Sequence, residues 1–162
     1  MICSTNDERI AQYAIKAAHR SEMPMKHGCV AVSGGKIIAK GYNTYRTYSK
    51  DGLINGCSCH AEIDVLRKCI KRGVKHKINL YVVRISNSGE YRNSRPCNMC
   101  LSILKQYKIH MLIYSTENGL KKCRLIHFFN HFKSSGEKAL LKNRLSKSYN
   151  GKFIVFDDDK RT

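Results

Sequence analysis

Two short clusters of metal-binding side chains, separated by residues 65–95, constrain this chain more than any other feature. The first, "CSCHAEID" at 57–64, sets two thiols, an imidazole and two carboxylates where an apolar run, Ile63 to Ile70, begins. The second, "PCNMC" at 96–100, places Cys97 and Cys100 three positions apart. Pro96 can open a helix there, because its missing N–H is spare in a first turn. On a helix that spacing turns both sulfurs to one side, so that they can hold one metal ion. His60 stands at the start of the earlier helical pattern. A shared site needs the two helix starts side by side, and two neighbouring parallel crossovers would bring them there.

Patterning around the clusters supplies those crossovers. "STNDERIAQYAIKAAHR" has a capping pair in Thr5 and Glu8, and its apolar residues Ile10, Tyr13, Ala14, Ala17 and Ala18 have helical spacing. Met23-Pro24 ends that helix. "HGCVAVSGGKIIAKGYN" reads as two short strands joined at Gly34-Gly35. A polar, Tyr- and Gly-rich loop runs from Thr44 to Gly56, and a helix carrying Ile63, Leu66 and Ile70 then extends to Gly73. "INLYVVRI" at 78–85 is the continuous apolar strand of a sheet's centre. Residues 86–95 read as a loop, and "IHMLIYS" as a strand before a turn at Asn118-Gly119. This order is an α/β layout.

Further on, "GLKKCRLIHFFNHF" fits a strand or a helix. "SSGEKALLKNRLSK" reads as a helix capped near Ser135 and stopped around Asn150-Gly151, "KFIVF" as a last strand, and "DDDKRT" as a solvated tail. There is no internal repeat and no Pro/Ser-rich linker. Residues 1–162 are therefore expected to form a single domain, with a core over about 5–120, a basic extension at 121–156 packed on it, and a tail at 157–162.

One imidazole and two thiolates make three ligands and leave a fourth tetrahedral position to water, the catalytic arrangement; structural zinc sites close all four with protein. Zinc lowers the pKa of such a water towards about 7 and so supplies hydroxide at neutral pH. Glu62, in the same first turn, can take the water's proton and pass it to a ring nitrogen and then to a departing amine. Cys57 and Cys59 leave a second arrangement open, a four-thiolate structural site with Cys97 and Cys100 in which Glu62 has no part, although C-x-C is tighter than the usual C-x-x-C pair. Cys3, Cys29, Cys69 and Cys123 read as small hydrophobes. His110, His127 and His131 follow no ligand spacing, and Asp64 is expected to pair with Lys68 on a solvated face.

An H-x-E followed by P-C-x-x-C, with the Glu not a ligand, is the signature of zinc nucleobase deaminases. On "HAE" at 60–62, "PCNMC" at 96–100 and the order of helices and strands around them, the chain resembles the zinc-dependent cytidine/deoxycytidylate deaminase superfamily over roughly residues 5–120. The resemblance implies a three-layer sandwich, a mixed sheet of about five strands with helices on both faces. It implies Zn2+ on His60, Cys97 and Cys100, Glu62 as the catalytic proton shuttle, and the Ala61 backbone lining the base pocket. "GYN" at 41–43 resembles the segment whose Asn contacts the substrate sugar, which makes Asn43 a substrate-binding candidate; an Asn after a strand is also a common turn residue. Tyr114 resembles an aromatic that packs near the base in some members, and is equally well explained as a buried strand residue. Some members carry a second, structural zinc, for which Cys57 or Cys59 is available, and members commonly assemble as homodimers.

The motifs divide over the substrate. His as first ligand is typical of deoxycytidylate, tRNA adenosine and polynucleotide cytosine deaminases rather than of the free-cytidine branch. "HAEI" and the Met in "PCNMC" lean towards tRNA adenosine deaminases; "GYN", "SRPC" and "IYSTENG" lean towards the deoxycytidylate-like branch. The implied reaction is hydrolytic loss of the exocyclic amine of a nucleobase, first of all cytosine in a nucleotide such as dCMP or CMP. The alternative is adenosine or cytosine in tRNA or single-stranded nucleic acid. A third reading, a non-catalytic zinc-containing nucleic-acid-binding module, gives no reason for Glu62 to sit beside an open zinc position.

Charge bears on the same choice. The net charge is +18, and between Val65 and Phe156 there are 20 Lys/Arg against Glu90, Glu117 and Glu137 only. Such a surface attracts the phosphates of a nucleotide or a nucleic acid; a Lys-, Ile- and Asn-rich composition throughout also accounts for it. A nucleotide needs a short clamp, which Arg46, Lys50, Arg92 or Arg95 can supply. A polynucleotide needs a groove. Residues 121–147, mixing cations with Phe128, Phe129 and Phe132, fit either a groove or a packing element with a solvated face. No run approaches the roughly 18 apolar residues of a membrane span. The N-terminus has no basic start followed by an apolar block, so the eight cysteines are expected reduced and the protein intracellular, cytoplasmic or nuclear.

Overall fold

The computed structural model describes residues 1–56 and 58–128, with the backbone of 145–147 and 153–155. Helix α1 (Thr5–Ala18) is capped one residue earlier than its sequence implies. The Ser4 hydroxyl accepts from the Asp7 amide at 3.1 Å, and the Asp7 carboxylate accepts from the Ser4 amide at 2.9 Å. Two overlapping capping boxes fit this sequence, and tertiary partners select one. Asp7 also accepts from the Tyr81 hydroxyl at 2.7 Å and the Lys122 ammonium at 3.1 Å. Burial pushes the Asp7 carboxyl up, but the bonds from Ser4, Tyr81 and Lys122 outweigh it and hold it below its ordinary value.

Ile10, Ala11, Ala14 and Ala18 turn the buried face of α1 onto strands β1 (Lys26–Ser33) and β3 (Ile78–Ile85). The approach is close: a Cβ at Gly28 would overlap the Ala14 carbonyl oxygen. Gly34 and Gly35, at φ 58° and 77°, make the tight turn into β2 (Lys36–Tyr42), where left-handed backbone matches the twist of a two-residue hairpin. Next come α2 (Ala61–Lys71), β3, β4 (Tyr91–Arg92), α3 (Asn98–Leu104), β5 (Ile109–Thr116), β6 (Gly119–Arg124) and a 3-10 turn at Leu125–His127.

The strands lie in the order β2-β1-β3-β5-β6, with β4 added to the end of β3. β3 and β5 run parallel and the other pairs antiparallel. Two buried clusters mark the two faces. Ile10, Ala14, Val30, Val83 and Ile113 pack beneath α1. Cys29, Val65, Leu66, Leu80, Val82, Leu101 and Leu112 pack beneath α2 and α3. This is the three-layer sandwich with a mixed sheet that the resemblance implied. Because residues alternate along a strand, His27, Cys29 and Ala31 point to the α2/α3 side. Both of those helices start at the end of the sheet where β2, β3 and β5 finish, which is where α/β sheets gather their ligand-binding groups.

Two stretches differ from the sequence reading. Residues 86–95, read as a loop, contain β4, which pairs with Arg84 and Ile85 on the edge opposite β1, beyond the last β3–β5 pair, Val82 with Tyr114. Residues 145–147, read as the end of a helix, form strand β7 (Leu145–Lys147), antiparallel to β8 (Phe153–Val155) within "KFIVF". The rest of that expected helix, the acidic tail, Phe129, Phe132, His131 and Cys57 lie outside the described residues. Among the described residues no helix is long and apolar enough to cross a membrane.

Candidate active site

The two helix starts meet. His60 is the N-cap of α2 and Cys97 the N-cap of α3, each one position before the helix rather than inside its first turn. His60 Nδ1 lies 3.0 Å from Cys100 Sγ and 3.7 Å from Cys97 Sγ, and the three donor atoms all fall within 4.8 Å of one another. Among the described residues this is the one group of three or more His, Cys, Asp or Glu able to hold a metal. Tetrahedral zinc with bonds of about 2.0–2.3 Å sets its ligands roughly 3.5–3.8 Å apart; the donor set suits zinc, with His60–Cys97 inside that range at 3.7 Å and His60–Cys100 tighter at 3.0 Å. The hydrogen bond from Cys100, then His60 beside it, pulls the Cys97 thiol down to about 4. The same bond, and burial, hold Cys100 up and favour its protonated thiol. A bound cation displaces that proton.

Glu62 is buried, at 4% exposure, in the first turn of α2. Burial raises its pKa, and His60 pulls against that. Ala61, at the first position of the helix, has no exposed surface. Asn43 is buried at the end of β2. Its side-chain oxygen accepts from the His27 amide at 2.9 Å and its amide nitrogen donates to the Met25 carbonyl at 2.6 Å. Asn43 thus fixes the start of β1 and, among the described residues, keeps one N–H and one lone pair to spare. The Cys59 thiol stands apart from the metal group and donates to the His60 carbonyl at 3.5 Å. A cleft of about 310 Å³, counting its open mouth, runs beside His60 and Cys100, walled by Ile54, Asn55, Ile63 and Met99.

Residues 4–116 match the model of the cytidine and deoxycytidylate deaminase zinc-binding region. The chain belongs to this deaminase family. Its solved relatives include the cytidine deaminases of Burkholderia pseudomallei (17% identity, 73% of this chain and 91% of that one, TM-score 0.55) and Mycobacterium leprae (18%, 74% and 94%, TM-score 0.52). At that identity they share the fold. The chloroplastic tRNA(adenine(34)) deaminase of Arabidopsis thaliana is 33% identical over 107 residues. Those cover 66% of this chain and only 7% of that protein.

Two buried serines outside the metal-binding group hold the second motif in place. Ser94 Oγ donates to the Val82 carbonyl at 2.8 Å and the Ser115 carbonyl at 3.2 Å, and accepts from the Ser115 amide at 2.8 Å. Ser115 Oγ donates to the Arg92 carbonyl at 2.7 Å and accepts from the Arg84 amide at 2.9 Å. Both residues are buried, and the backbone they lock runs directly into Pro96-Cys97. On the other side, Asp51 accepts from Arg67 of α2 at 2.8 Å and ties down the loop between β2 and α2. Burial pushes the Asp51 carboxyl up, yet bonds from Ser49, Arg67 and Leu53 bring it to about 2.

The four clamp candidates diverge. Arg46 donates to the Tyr48 carbonyl within its own loop, and Lys50 is exposed. Arg92 lies 3.4 Å from Glu90, and Arg95 stacks over Tyr114 and Phe128 at 5.8 and 5.6 Å. Tyr114 itself is buried in an edge-to-face pair with Phe128. Asp64 pairs with Lys68 at 3.2 Å as expected. His27, which sequence reasoning passed over, is half-buried on the α2/α3 side. Burial, then His60 and Arg84, push its imidazole down to about 4. Its place in an alternating strand was the available signal.

Proposed function

We propose that this chain is a zinc-dependent hydrolytic deaminase that removes the exocyclic amine of a nucleobase, with cytosine in a nucleotide such as dCMP or CMP as its substrate. The observation that carries the reading is the buried Glu62 carboxylate in the first turn of the helix that His60 caps, beside a His60–Cys97–Cys100 group that offers three ligands among the described residues, the number a catalytic zinc takes from protein. Held on His60, Cys97 and Cys100, zinc supplies the Lewis acidity that brings the pKa of a water towards about 7. Glu62 then works twice. Its carboxylate accepts a proton, gives it to the ring nitrogen next to the amine-bearing carbon, and later carries a second proton to the departing amine. Burial favours the protonated carboxyl that this relay needs. The Ala61 backbone and the spare hydrogen-bonding capacity of Asn43 are assigned to the base and the sugar.

The second reading, adenosine in tRNA, is favoured by the 33% identity to the Arabidopsis tRNA(adenine(34)) deaminase over the shared segment. The test common to both is Glu62→Gln, which keeps size and loses the relay. General acid–base groups contribute about 10²–10⁴-fold. Zinc content and fold should be retained while turnover falls at least that far. Zinc loss in Glu62→Gln, or retained turnover, would each refute the assigned role.

A further inference from the structure

At the end of the sheet where the two zinc-motif helices start, one row of side chains crosses three strands. His27 of β1 stands opposite Arg84 of β3, and Arg84 stands opposite Arg92 of β4. Directly opposed residues share a face of a sheet. The next row inward on that face, Cys29–Val82–Tyr114, packs in the core with Ala61 and Leu101 of α2 and α3. The His27–Arg84–Arg92 row therefore lies two residues, about 6–7 Å, beyond the side chains that pack under the first turn of α2. That is a step of the same order as the one from a nucleobase to its own 5′-phosphate.

Folding alone gives no return on this arrangement. Like charges directly opposite each other on a sheet destabilise it, and Arg84 has no carboxylate partner among the described residues although it is half-buried. Arg92 donates to the Tyr91 carbonyl at 3.3 Å and, among the described residues, meets the carboxylate of the exposed Glu90 at 3.4 Å. Arg95, on the same locked segment, spreads a third guanidinium over the rings of Tyr114 and Phe128. A planar guanidinium fork matches the oxygens of a phosphate.

We propose that Arg84, flanked by His27 and Arg92, receives the phosphate attached to the nucleoside whose base enters the His60–Cys97–Cys100 site. The proposal rests on the deaminase reading of that site and specifies its substrate as a phosphorylated nucleoside. A free mononucleotide and an internal nucleotide of a single strand share this chemistry.

The test is calorimetric binding of product pairs, which do not turn over, to the zinc-loaded full chain. The ligands are dUMP with deoxyuridine, IMP with inosine, and a single-stranded trinucleotide with central dU. The wild type should bind the phosphorylated ligand at least about tenfold tighter than the nucleoside. Arg84→Gln should weaken that ligand by about 10–100-fold and leave the nucleoside unchanged, as loss of a charged hydrogen-bonded contact requires. Arg84→Lys, which keeps the charge without the fork, is the second variant should Arg84→Gln fail to fold; it should weaken the phosphorylated ligand alone. Dependence on Arg84 for dUMP or IMP assigns a free nucleotide, and dependence for the trinucleotide alone assigns an internal phosphate. Equal affinity of wild type and both variants for all three phosphorylated ligands would overturn the proposal. Arg84-dependent binding without deamination of any nucleotide would leave the phosphate contact standing and remove the deaminase reading. Deamination of dCMP with unchanged KM in Arg84→Gln would do the reverse.

Discussion

Ser94→Ala isolates the device that holds the second zinc motif. The Ser94 hydroxyl donates to the Val82 and Ser115 carbonyls and is the acceptor for the buried Ser115 amide. Alanine leaves that amide without a partner, at about 1–3 kcal/mol, and removes a net bond to Val82 worth about 1 kcal/mol. The total is about 2–4 kcal/mol, a large share of a domain's stability. Urea unfolding of the zinc-loaded protein measures it. The exposed Ser88, whose hydroxyl meets that of Ser86 at 2.9 Å, is the control, and Ser88→Ala should change stability by less than about 0.5 kcal/mol. Because the bonds pin the backbone leading into Pro96-Cys97, Ser94→Ala should also surrender zinc to a competing chelator more readily. A Ser94→Ala protein within about 0.5 kcal/mol of wild type would refute the latch.

Cys97→Ala should lose the bound metal, measured as zinc per chain, together with much of the stability, since one site ties two helix starts together; full zinc with a normal melt would show the ligand set to be wrong. Asp7 gives a pH signature. Its folded pKa lies below the unfolded value of about 3.9. Its contribution is therefore present above that value and lost as pH falls through the folded pKa, because the unfolded chain binds the proton more readily. Acid titration of stability should be shallower in Asp7→Asn than in wild type below about pH 4, and parallel curves would contradict this.

Elements fixed by local pattern were legible in the sequence: α1, the Gly34-Gly35 hairpin, β3, β5 and the two motif-bearing helix starts. Elements that exist only through tertiary partners were not. Thr5/Glu8 and Ser4/Asp7 are equally good capping boxes on paper, and Tyr81 and Lys122 decide between them. β4 is two residues long and is held by Ser115 and by the edge of Arg84 and Ile85 opposite β1, neither of which is visible in the sequence of 86–95. Cross-strand register is likewise absent from a linear reading, so His27, Arg84 and Arg92 were separate residues until the pairing aligned them. Asn43 was read for its substrate and spends much of its side chain on the backbone of Met25 and His27. His60, Cys97 and Cys100 could be singled out because metal ligation demands particular residue types at particular spacings.

Deamination itself is the central claim, and product mass in isotopically labelled water tests it most directly. The zinc-loaded protein would be incubated in oxygen-18 water with dCMP, CMP, AMP, a cytosine-containing oligonucleotide and tRNA. Hydrolytic replacement of the amine by water oxygen predicts, for at least one substrate, a product base that has lost its amine and carries one labelled oxygen, with dCMP or CMP giving labelled dUMP or UMP. A folded protein with one zinc per chain that leaves the amine on every member of the panel, or yields an unlabelled product, would contradict the account.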